Sequence, residues 1–151
     1  MSRAGYSEDC DDLWAHIRWR GAVTSALRGR TGQAFLVELR AALDVMAEKR
    51  LAKEVLVEET EVAAVDGKPP VPLVHACALG VVAQARGLDT AKIDIDDYDN
   101  IHAPFGIANA LAREIIWEND ESWPYPKTPE ERWRKMRWWV ESKIEQRRAG
   151  T

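Results

Sequence analysis

A mainly α-helical single domain of five or six helices, with one small β-hairpin or arm at about residues 54–66, is the fold class that the sequence predicts. Three observations lead there. Apolar residues recur at helical spacing through Phe35, Leu36, Leu39, Leu43 and Met46. Helix start and stop residues stand at Thr31, Gly87 and Thr128-Pro129. Two valine-rich runs, Val55 to Val57 and Val62 to Val65, interrupt that pattern just before a cluster of turn residues and prolines. A chain of 151 residues supports one domain with a real core, so residues 1–151 are read as one unit and 51–74 as an inserted hairpin or arm.

The elements follow in order. Asp11 or Asp12 caps a first helix over about residues 12–28, in which Leu13, Ile17, Thr24 and Leu27 share a face. Gly21 in its middle costs about 1 kcal/mol relative to alanine, which predicts a bend or the close approach of another element. Gly29 stops it, and Thr31 caps a second helix with Phe35, Leu36, Leu39, Ala42, Leu43 and Met46 on one side. The valine runs read as short strands around an Asp66-Gly67 turn, with Pro69, Pro70 and Pro72 confining any strand to an edge. An exposed edge of that kind also predicts a possible homodimer.

Ala76 to Arg86 is small and apolar on nearly all sides, as a buried helix ending at Gly87. Asp89 caps a brief turn, and Asp94, Asp96, Asp97 and Asp99 form a solvated acidic loop whose spacing departs from a calcium loop. A helix opens near His102, takes Pro104 in its first turn and ends near Trp117, before a loop over 118–127. Thr128, Pro129 and Glu131 then start the final helix, with Trp133, Met136, Val140 and Ile144 inward and Arg132, Arg134, Lys135 and Arg137 on a solvated basic face.

Composition excludes several classes. Hydrophobic residues at 46% and charged residues at 30% exclude a disordered or membrane-embedded chain. With no apolar run near the roughly 20 residues that cross a bilayer, and an acidic start, the expected location is cytoplasmic, with no membrane partner. Cys10 and Cys77 are expected as thiols. A net charge of −4 argues against broad nucleic-acid binding. No histidine or cysteine spacing fits a metal site, so no metal and no cofactor are expected. His75 and Cys77 share a face only if their segment is extended, and no acid, base and nucleophile set is readable, so no catalytic residues are assigned.

The stretch from Trp14 to Leu36 concentrates arginine, glycine and tryptophan in an acidic protein. At the turn between the first two helices, backbone amides from Gly32 onward meet Arg28 and Arg30, which is the chemistry an anion needs. The predicted ligand-binding set is Arg18, Arg20, Arg28, Arg30, Thr31, Gly32 and Gln33, with Trp14 and Trp19 completing a pocket. The alternative is a surface for a protein partner at Trp138, Trp139 and Arg134, since adjacent tryptophans on one helix cannot both face the core.

Ala26-Leu27-Arg28-Gly29 followed by Gly32, then Cys77-Ala78-Leu79-Gly80-Val81, then Asn119-Asp120, occur in an order that resembles small accessory proteins of tailed bacteriophages and prophages. Those proteins carry ALRSG-like, C-[CA]-L-G-[VA] and L-N-D-x-G-like segments. The likeness covers most of the chain outside 51–74; here the second segment has one cysteine and the third lacks its glycine. The resemblance implies a phage accessory gene product and transfers no biochemical activity; the expected role is that of a non-enzymatic counter-defence protein in the cytoplasm of an infected bacterial host. Its expected partner is an anionic small molecule such as a nucleotide signal, sequestered uncleaved, or alternatively a host defence or regulatory protein that it inhibits.

Overall fold

A single residue separates the first two helices: α1 spans Leu13–Arg28, α2 spans Arg30–Asp44, and Gly29 lies between them. The computed structural model describes residues 13–61, 67 and 72–145, so the predicted Asp11 or Asp12 cap and Cys10 lie outside the described residues. The turn closes tightly because Gly32 lacks a side chain; a Cβ there would lie 1.8 Å from the Ala26 carbonyl oxygen. Thr31, expected as the cap, sits inside α2 instead. Gly29 takes the cap position in extended backbone, with no side-chain bond to the helix end. Gly21 draws no described element close, for nothing among the described residues lies within 4 Å of where its Cβ would be.

The buried stripe of α2 packs against α1, against α3 (Ala78–Arg86) and against α5 (Pro129–Lys143). Phe35, Leu36, Leu39, Ala42 and Leu43 repeat at intervals of one, three and four, which puts them on one broad face, and all are buried. Each large side chain removed from water there stabilises the fold by about 1.5–3 kcal/mol. Phe35 meets Phe105 edge to face, with centroids 6.2 Å apart.

The hairpin forms later in the chain than its composition suggests. Strand β1, Val57–Glu61, pairs antiparallel with β2, Pro72–Ala76, in the register Val57 to Ala76 and Glu61 to Pro72. Val62 to Val65, expected as the second strand, lie outside the described residues together with Pro69 and Pro70. Pro72 opens its strand, where a missing N–H is tolerated. The hairpin base enters the core: Leu56 is buried, its carbonyl accepts the Cys77 amide at 3.1 Å, and a Cβ on Gly80 would lie 1.9 Å from the same oxygen.

Gly87, left-handed at φ 69°, ends α3, and Asp89 Oδ1 accepts the Ala91 amide at 3.2 Å to start the expected brief turn. The helix expected from His102 to Trp117 is two pieces. A 3-10 turn at Ala103–Phe105 stops at Gly106 (φ 68°), Ala108 is extended, and α4 runs Asn109–Asp120, through part of the expected loop. Thr128 starts α5 as read: its Oγ1 accepts the Glu131 amide at 3.1 Å, and Glu131 Oε2 accepts the Lys127 amide at 2.7 Å. One member of the basic face is misplaced by the sequence reading. Arg132 is buried, where its Nη1 donates to the Leu51 carbonyl at 2.7 Å. Among the described residues, no helix is long and apolar enough to cross a membrane.

Candidate functional site

The α1–α2 corner sets Arg28 and Arg30 beside the first turn of α2. With Gly29 as an unbonded cap, the amides of Arg30, Thr31 and Gly32 have no acceptor within the helix; the first intrahelical bond runs from the Gln33 amide to the Gly29 carbonyl, at 2.9 Å. Arg28 and Arg30 are exposed on either side of that cap. Among the described residues, Arg28 pairs with Glu145 at 3.9 Å, itself well exposed, a pairing that water and salt screen heavily. Both arginines, with Ala34, Val37 and Ile144, line an open groove of about 650 Å³. A neighbouring hollow of about 310 Å³ shares Arg30 and Thr31. Its other cation, Arg86, is engaged by Glu38 at 2.6 and 2.7 Å, which holds that carboxyl below its usual range.

Two predicted residues at this corner serve the fold. Gly32 is buried beneath the Ala26 carbonyl. Gln33 ties three elements: its Nε2 donates to the carbonyls of Leu27 (2.6 Å) and Lys143 (2.9 Å), and its Oε1 accepts the Glu145 amide at 2.8 Å. It therefore sets the far wall of the groove by fixing the end of α5 to the end of α1. Thr31 is exposed in the first turn, with its hydroxyl outside the capping role.

Of the remaining predicted ligands, Arg20 lines a hollow of about 330 Å³ together with Arg28 and Gln33, whereas Trp14, Arg18 and Trp19 do not line it. Trp14 precedes Arg28 by fourteen helical residues, which is about 21 Å at 1.5 Å per residue, and Arg18 lies about 15 Å away by the same count. Arg20 is committed to α4, where Nη1 donates to both oxygens of buried Glu114 at 3.0 Å. Trp19 is half-buried, with the Arg113 guanidinium 5.5 Å over its ring.

The alternative surface divides between core and solvent. Trp139 is 4% exposed and Trp138 70%. Arg134 is exposed one turn before Trp138 on α5. The sequence reading missed two further exposed aromatics, Trp123 and Tyr125, in the loop before α5, although the prolines flanking Tyr125 marked a rigid segment. Lys135 Nζ fastens that loop by donating to the Ser122 carbonyl and hydroxyl and, at 3.2 Å, to the Pro124 carbonyl. Ser122 in turn donates to Glu118 Oε2 at 2.9 Å. Burial raises the Glu118 carboxyl and lowers the Lys135 ammonium from their ordinary ranges, so each is less readily charged than in water.

Two of the three segments singled out in the sequence, Cys77-to-Val81 and Asn119-Asp120, meet in the interior. Asn119 Oδ1 accepts the Ala78 amide at 3.0 Å, its Nδ2 donates to the Ala52 carbonyl at 2.9 Å and to Asp120 Oδ1 at 2.6 Å, and that oxygen also receives the Glu54 amide at 3.3 Å. Glu54 is left-handed at φ 65°, the one non-glycine residue so recorded among those described. Cys77 is buried beside this junction and His75 is half-buried on β2. These bonds satisfy a helix start, a hairpin base and a helix end together. No family model matches the chain, and no match to it is found among curated proteins or solved structures.

Proposed function

We propose that this protein binds a small anionic molecule, of the nucleotide class, at the α1–α2 corner and sequesters it without chemical change. One observation carries the reading: the first amides of α2 lack a side-chain cap, and Arg28 and Arg30 stand exposed over the same groove. A phosphate accepts from backbone amides at a helix start, where the macrodipole also favours negative charge, and a guanidinium grips two of its oxygens. Val37 and Ile144 supply an apolar wall for a flat organic body beside the phosphate. The order of the Ala26-to-Gly32, Cys77-to-Val81 and Asn119-Asp120 segments supports a phage accessory protein acting in the infected cytoplasm, and a sequestered nucleotide signal suits counter-defence.

A second reading has its own support. Trp123, Tyr125 and Trp138 are each at least two-thirds exposed, and exposed aromatics on α5 and on the loop that Lys135 fastens to it, with Arg134 one turn before Trp138, suit a host protein held at an interface. A thermal-shift screen against linear and cyclic nucleotides separates the two. Stabilisation by a nucleotide that is lost in Arg30→Ala supports the corner. No shift with any nucleotide, joined to loss of a host partner in Trp138→Ala, supports the patch.

A further inference from the structure

Three hollows adjoin around the α1–α2 corner, and an arginine stands at each junction. The central groove of about 650 Å³ shares Arg30 and Ala34 with the hollow of about 310 Å³ on one side. It shares Arg28, Gln33, Ile144 and Glu145 with the hollow of about 330 Å³ on the other. The two outer hollows have no lining residue in common, so the three form a row. Resting on the corner reading above, we infer that the ligand of this trough carries two separate phosphodiester groups on either side of a nucleoside, one held at Arg28 and one at Arg30, as in a cyclic dinucleotide or a linear chain of three nucleosides.

The charge along the trough alternates. Each outer hollow has an arginine of its own, and each of these is answered by a carboxylate of the fold. Arg86 is gripped by Glu38 at 2.6 and 2.7 Å, and Arg20 donates to both oxygens of buried Glu114 at 3.0 Å. In the Arg20 hollow, Lys143 adds one cation and Glu145 one anion. Of the arginines that line the trough, the two not held this closely by a carboxylate of the described residues are those at the junctions, Arg28 and Arg30, and both are exposed. An anion is therefore drawn to each junction, while the spaces beside and between them suit uncharged groups. A nucleoside monophosphate engages one guanidinium and leaves the other to water. Two phosphodiesters joined through a nucleoside repeat the pattern of the trough, and each hollow has the roughly 300 Å³ or more of a small-molecule site. Ala34, Val37 and Ile144 give the central nucleoside an apolar wall. Gln33, bonded to Leu27, Lys143 and Glu145, holds the Arg28 junction in shape.

Calorimetric titration of the full chain at low salt compares a nucleoside monophosphate, a nucleoside triphosphate, a cyclic dinucleotide and a linear trinucleoside diphosphate, each in adenine and guanine forms. The expected result is that the ring or the chain binds at least about tenfold tighter than either mononucleotide. Arg28→Ala and Arg30→Ala each weaken that probe by about tenfold or more, while the monophosphate responds to at most one of them. Whichever of ring and chain binds tighter identifies the source of the two phosphates. Both side chains are exposed, so the variants fold, and circular dichroism confirms it. A mononucleotide that binds as tightly as ring and chain, or a two-phosphodiester probe that only one of the substitutions weakens, overturns this inference and leaves a corner site for a single anion standing. Absence of heat with every probe, or heat that neither substitution alters, removes the corner reading and this inference with it.

Discussion

Asn119 on α4 accepts the Ala78 amide at the start of α3, across 41 residues of sequence, through its buried Oδ1 at 3.0 Å. The same side chain reaches Ala52, so a single amide group closes the hairpin base against two helices. Asn119→Ala leaves a buried N–H and a half-buried carbonyl unpaired and is expected to cost about 3 kcal/mol. Urea unfolding followed by circular dichroism checks this; a loss below about 1 kcal/mol would mean that water replaces the amide.

That junction also marks where the sequence stopped being legible. Thr128, Gly87 and Asp89 were readable because each cap bonds within a few residues of itself. Asn119 and Asp120 read as a loop because polar residues usually end helices in water; here their partners come from residues 52, 54 and 78. Arg132 looked solvated for the same reason, its acceptor being the Leu51 carbonyl. At the corner, Arg28 and Arg30 were legible from local order. The role of Gln33 was not, since its partners Lys143 and Glu145 lie more than a hundred residues on.

The glycines of the first two helices should respond in opposite directions. Gly32→Ala forces a Cβ against the Ala26 carbonyl and is expected to destabilise by about 3 kcal/mol or more. Gly21→Ala meets no described residue within 4 Å and should gain about 0.5–1 kcal/mol. Thermal melts of the pair decide it: equal losses would disprove the packing described for α1.

Trp138 and Trp139 supply a similar contrast. Trp139→Ala empties a buried site and is expected to cost about 3–5 kcal/mol. Trp138→Ala should change stability by less than about 0.5 kcal/mol, because its ring stands in solvent. Chemical denaturation of both variants measures the difference, and a large loss in Trp138→Ala would place its ring in the core.

Glu118 gives the fold a pH signature. Its folded carboxyl is raised chiefly by burial, so the native state holds the proton more tightly than the unfolded chain does. Its favourable contribution is present below the ordinary glutamate range and is lost as pH rises through the raised folded value. Glu118→Gln should therefore melt higher than wild type at neutral pH, with the gap closing in acid. Melting curves from pH 4 to 8 test the sign, and a variant less stable at neutral pH would show that the Lys135 attraction outweighs desolvation.

Isothermal titration calorimetry of the wild type and of Arg28→Ala/Arg30→Ala, against a panel of linear and cyclic nucleotides at low salt, tests the proposed corner site most directly. The site predicts saturable heat with at least one nucleotide, weakening as salt rises and lost in the double variant, whose fold is unchanged because both side chains are exposed. Absence of heat with every nucleotide, or heat that persists unaltered in the double variant, would contradict it.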